Sequence, residues 1–267
     1  MQPLQTGDIF LFEFEKTPGL MGFIECCIRC FTDSRYSHAA FVWVDPIIPK
    51  SSFWKHRYNN GHPGNGKTDY EVYENDYVKL IGPYIWDSAL HEIKGVDGKK
   101  HFGVQLTPLK EYLDKWGTKN DSKMTIYRRY PLTKETTEEF LKKDKKDNKD
   151  NEISRMTRLY IDQANTPYDM DCCNWLFACL RCRCVPYHPN DALFCSAFVS
   201  LILTECDILP HGTFLKIISP GELSSHTSWC VHWLRWKPNR KYSEDTEWNP
   251  KRYFSNKTLD FDLKTKK

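Results

Sequence analysis

Residues 194 to 203, Phe-Cys-Ser-Ala-Phe-Val-Ser-Leu-Ile-Leu, constrain this chain more than any other stretch. They carry no charge and read as an apolar helix. A helix apolar on all sides has to be buried, so the fold must wrap around it. The uncharged pair Ala192-Leu193 precedes it, and Asp191 is the expected N-cap. Cys195 then falls in the first helical turn. There the positive end of the helix dipole favours thiolate over thiol. Thiol enzymes present a nucleophile in this way. With eleven cysteines in the chain, an inert core cysteine is the competing reading.

The 267 residues are enough for one large domain or two small ones. A hydrophobic fraction of 40% with 14% aromatics suits a globular core rather than disorder. A net charge of +3 gives no electrostatic case for nucleic acid. The best membrane candidate, Cys172 to Leu180, stops at Arg181 and is too short to span a bilayer. Residues Met1 to Gln5 lack the basic and apolar regions of a signal peptide. The cysteine number is odd and its spacing is unlike a secreted framework. Reduced thiols in a cytoplasmic compartment are therefore expected, and no cofactor is.

Gly7-Asp8 leads into a first strand, Ile9 to Phe14. Leu20, Phe23, Ile24, Cys27, Ile28 and Phe31 recur at helical spacing, and Thr32 to Arg35 breaks the pattern. His38 opens a second strand through Val44. Residues 45–68 are rich in Pro, Gly, Asn and Lys and read as a long surface loop. Tyr70 to Glu74 alternates as a third strand. Val104 to Leu106 and Met124 to Arg128 read as short strands. One helix is expected near Thr133 and another from Ile153 to Ala164, ending before Pro167. Between them, Lys142 to Asn151 reads as a solvated helix end or linker. Residues 237–267 form a polar arm punctuated by Trp248, Tyr253 and Phe254. It either lies over its own domain or anchors a partner protein.

His38, between a polar turn and an apolar strand, is the candidate base for Cys195. If the Tyr70–Glu74 strand lies beside the His38 strand, the Glu74 carboxylate can hold the second ring nitrogen. Glu71, three residues away, should face the other side of the pleat. Two Cys-x-x-Cys pairs, Cys27/Cys30 and Cys179/Cys182, have the spacing of a structural zinc site but lack the Gly or Pro of its knuckle.

The ordered elements are Gly7-Asp8, Ser34, Ser37-His38, Val72-Tyr73-Glu74, Tyr127-Arg128, Pro167-Tyr168-Asp169, Phe194-Cys195-Ser196 with Val199, and Ser219-Pro220-Gly221-Glu222-Leu223. Together they resemble the circularly permuted branch of the NlpC-type papain-like superfamily, with its YiiX-like and poxviral members, over roughly residues 5 to 225. The resemblance implies an α+β fold with an antiparallel, partly closed sheet packed on helices. It implies one domain over 1–236, with inserts at about 45–68 and 77–123, and a C-terminal arm over 237–267. It also implies Cys195 as nucleophile, His38 as base, Glu74 as orienter and Tyr168 as a pocket-lining residue. The implied activity is that of a thiol hydrolase (peptidase or amidase) or an acyltransferase acting on peptide, amide or lipid-ester substrates, with a virion setting open. Two alternatives stand beside it: a catalytically silent scaffold or virion component, and a zinc-stabilised binding module.

Overall fold

The structure, a computed structural model, describes residues 4–13, 36–53, 70–72, 76–90, 93–116, 123–128, 154–171, 192–206, 209, 215, 218–223 and 243–244. The expected helices around Leu20–Phe31 and Thr133, Glu74 and both Cys-x-x-Cys pairs lie outside these residues.

The protein is mixed α+β, built on antiparallel sheets. The main sheet has the order β7-β6-β2-β1-β8-β9. Its strands are β1 (Ile9–Glu13), β2 (His38–Val44), β6 (Pro83–Ala89), β7 (Gly103–Pro108), β8 (Lys123–Arg128) and β9 (Ser243–Glu244). A smaller sheet orders as β3-β5-β4, from β3 (Ile47–Pro49), β4 (Tyr70–Val72) and β5 (Tyr77–Leu80). Three helices are described: α1 (Leu109–Trp116), α2 (Arg155–Gln163) and α3 (Cys195–Glu205).

Both faces of the main sheet are covered, which is why its central strands read as apolar runs. Ile9, Leu11, Ala39, Phe41, Trp43, Tyr84, Trp86, Val104 and Leu106 share a core with α2 and α3. Their neighbours Phe10, Phe12, Ala40, Val42 and Ile85 pack with Leu109, Tyr112 and Leu113 of α1. Alternation along each strand therefore sends side chains into two different cores.

Helix α3 is buried from Cys195 to Thr204. Its three hydroxyl side chains recur every four residues and are satisfied within the core. Ser196 donates to the Ile218 carbonyl at 2.6 Å, Ser200 to Ser196 at 2.7 Å and Thr204 to Ser200 at 2.9 Å. Such back-bonding lets polar residues enter an apolar helix without unmatched donors. Helix α2 starts at an N-cap, Ser154, which accepts from the Thr157 amide, and stops as Asn165 turns left-handed (φ 72°).

Three expectations are corrected. The stretch 77–123, expected to be an insert loop, instead holds β5, β6, β7 and α1 among its described residues, with β6 and β7 in the main sheet. Strand β4 pairs with β5, not with β2, whose neighbours are β1 and β6. A local hairpin forms because only a short connection separates β4 from β5, so closing it is entropically easy. The expected surface loop after Val44 begins with a strand whose Ile48 is fully buried. The C-terminal arm contributes an edge strand, Ser243–Glu244, against β8. Among the described residues, no helix is long and apolar enough to cross a membrane.

The ring of Phe198 is fully buried and meets Trp86 edge-on, centroids 5.2 Å apart at 79°. Replacing it with alanine opens a cavity between α3 and the sheet. Phe198→Ala is expected to lower unfolding free energy by about 3–5 kcal/mol, read from urea denaturation.

Candidate functional site

Strand alternation places His38, the first residue of β2, on the face covered by α1. Asp87 of β6 points to the same face, since Trp86 pairs with Phe41 and Asp87 therefore lies near Ala40. Tyr112 of α1 closes over both. The three polar groups form a triangle. The Tyr112 hydroxyl donates to Asp87 Oδ2 at 2.9 Å. His38 Nε2 lies 3.0 Å from that oxygen and 3.1 Å from Tyr112 Oη. The Asp87 side chain is fully buried and that of His38 is 12% exposed. The Phe12 ring packs on both rings, 5.6 Å from His38 and 5.7 Å from Tyr112.

Cys195 lies within electrostatic and hydrogen-bonding reach of His38. With Nε2 engaged by Asp87 and Tyr112, Nδ1 is the nitrogen left for the sulfur. Burial alone pushes the His38 pKa down. That effect is outweighed by the charge of Cys195, hydrogen bonds to Asp87 and Cys195, and the charge of Asp87, which raise it from 6.5 to about 10. At neutral pH His38 is therefore an imidazolium held between two acidic groups. Tyr112 is pushed well above the usual phenol value by burial first and by the Asp87 charge second, so its hydroxyl keeps its proton.

Cys195 opens α3. The N-cap is Phe194 rather than the expected Asp191, and no side chain caps the helix. Its first-turn N–H groups have no carbonyl partner within the helix. Adjacent residues of one strand hold both the His38 ring and the approach to Cys195. Asp87 holds His38 on one face of β6. The next residue, Ser88, donates to the Leu193 carbonyl at 2.6 Å on the opposite face, fixing the loop that enters α3.

The Pro167-Tyr168-Asp169 segment is clamped nearby. Gly103 bridges to Pro167, the Tyr168 amide donates to Phe102 O at 3.0 Å, and the Leu193 amide donates to Pro167 O at 3.1 Å. Tyr168 is half-buried on this segment, beside the residues leading to Cys195. Asp169 is buried and caps the Asp171 amide locally.

The structure thus brings His38 and Cys195 together. The carboxylate beside His38 is Asp87, which sequence reasoning missed, and Glu74 lies outside the described residues. The available signal was an acidic residue in an apolar slot of Tyr-Ile-Trp-Asp-Ser-Ala. Its meaning depends on register, which no local pattern displays. Among the described residues, no group of three or more His, Cys, Asp or Glu side chains is placed to hold a metal ion. Cys195 and Cys206 are both buried. No protein-family model matches the chain, and no curated protein matches it.

Two outcomes follow. Gly103 has φ +150°, and a Cβ there would sit 2.2 Å from Thr166 O. Gly103→Ala is expected to cost about 1–3 kcal/mol or more, seen as a lowered denaturation midpoint. The second concerns pH. Because the folded His38 pKa is raised, its contribution to stability is complete below about 6.5 and is lost as pH rises to about 10. The stability difference between wild type and His38→Gln, followed by chemical denaturation from pH 6 to 10.5, is expected to shrink across that window.

Proposed function

We propose that this chain is a permuted papain-like, NlpC-type thiol enzyme, a hydrolase or acyltransferase acting on an amide or ester carbonyl. The observation that carries the reading is His38. Its Nε2 is locked by a buried carboxylate and its other side faces a cysteine at the uncapped start of a buried helix. Thiolate–imidazolium pairs oriented by a third polar group are the working unit of such enzymes.

In this reading the Cys195 thiolate attacks the carbonyl carbon. Electrons move onto the carbonyl oxygen, which takes hydrogen bonds from the Cys195 N–H and its first-turn neighbours. His38 gives its Nδ1 proton to the leaving amine or alcohol as the tetrahedral intermediate collapses to a thioester. Neutral His38 then takes a proton from water or a second nucleophile, which attacks the thioester and frees Cys195. Asp87, in place of Glu74, keeps the ring oriented and offsets its positive charge. Tyr168 lines the approach. The substrate is a peptide amide or a lipid acyl ester, and the second nucleophile decides between hydrolysis and transfer.

The test is labelling of Cys195 by iodoacetamide at pH 7, with peptide mapping to separate it from the other ten cysteines. Wild type is expected to label faster than a free thiol, and His38→Ala to slow labelling by roughly 10-fold or more. With acyl or peptidyl probes, Asp87→Asn is expected to lower turnover by roughly 10²–10⁴-fold. Slow labelling that is indifferent to His38 would sink the proposal.

A further inference from the structure

We infer that Tyr112 is a positioning residue of this site, holding Asp87 as a carboxylate and so fixing which nitrogen of His38 faces the thiol. The inference rests on the Cys195–His38 reading above. A carboxylate at 0% exposure on a strand flanked by two others is costly to keep ionised unless donors surround it. Tyr112 supplies one such donor through the 2.9 Å bond to Oδ2, the same oxygen that His38 Nε2 approaches.

The direction of that bond matters. The phenol proton is committed to Asp87, so Tyr112 Oη can only accept from His38, 3.1 Å away. Both neighbours of Nε2 are therefore acceptors, and Nε2 must carry hydrogen in either charge state of the ring. In neutral His38, Nδ1 is then the bare nitrogen. It is the one that takes a proton on the cysteine side. A phenylalanine at 112 would preserve the packing with Phe12 and Leu113 but leave Asp87 with one donor fewer. A hydrogen bond to the charged form of an acid favours that form, and removing it lets the carboxyl take a proton at higher pH. Once Asp87 is neutral it no longer supports the imidazolium, and the thiolate paired with it is lost.

Among the described residues, His38 from β2 and Cys195 from α3 are titratable groups that face Asp87 and Tyr112. Strand β7 presents the neutral Gln105 and Thr107 to this face, and β1 presents Phe12.

The experiment is the rate of Cys195 alkylation by iodoacetamide against pH in the full chain, for wild type, Tyr112→Phe and His38→Ala, with thermal melting of each. Tyr112→Phe is expected to move the acid limb of the profile up by about one pH unit. A Tyr112→Phe protein that melts like wild type and keeps its acid limb overturns the inference. If Tyr112→Phe does not fold, 3-fluorotyrosine at 112 replaces it. Its stronger donor is expected to move the limb to lower pH, and an unmoved limb overturns the inference equally. His38→Ala separates the two ideas. If it leaves labelling unchanged, the Cys195–His38 reading falls and Tyr112 with it. If it slows labelling while Tyr112→Phe changes nothing, only the role of Tyr112 falls.

Discussion

The carboxylate of Asp87 is the constraint from which the site is built. It sits fully buried on β6, between β2 and β7, where an isolated charge is strongly unfavourable. The surroundings supply what it lacks. Helix α1 brings a phenol that must stay protonated, and β2 brings a ring that must stay charged. Cys195 stands within hydrogen-bonding reach of that ring. Each group thus lowers the cost of burying the next. Removing any one of them leaves a buried charge less well matched, which is why the cluster behaves as a unit.

The same logic runs through the two cores. Covering both faces of an antiparallel sheet commits almost every residue of β1, β2 and β6 to burial, leaving few places where polarity can enter. In α3 it enters along the Ser196–Ser200–Thr204 stripe, where each hydroxyl donates to a main-chain carbonyl. At the sheet end it enters as the Asp87–Tyr112–His38 triangle. The first device is self-contained and chemically quiet. The second is open on the side of Cys195.

What the sequence made legible was local. The uncharged run after Cys195 marks a buried helix because no exposed face can be assigned to it. His38 is visible as a polar residue opening an apolar strand. The mixed α+β character follows from the two periodicities side by side. The partner of His38 was not legible, because it depends on which strand lies beside β2. Glu74 was chosen on the premise that the Tyr70 strand did, whereas β4 closes a hairpin with β5 and β6 takes the place beside β2. Tyr112 was hidden further still. Its helix follows Pro108 within a stretch that read as an insert, and its meaning depends on the face of the sheet that α1 covers.

Strand β6 explains how residues 157 positions apart in the chain reach hydrogen-bonding distance. Its pleat sends Asp87 and Ser88 to opposite faces. One holds the ring of His38, and the other holds the Leu193 carbonyl two residues before Cys195. The imidazole and the segment leading to the thiol are therefore both tied to adjacent residues of one strand. The clamp of Gly103 on Pro167, and of Pro167 on Leu193, ties the same loop to β7. A thiol placed by a free loop would meet the ring only part of the time. Here the segment leading into Cys195 is held by the strand that also carries Asp87, and this is the kind of preorganisation on which the proposed thiol chemistry depends.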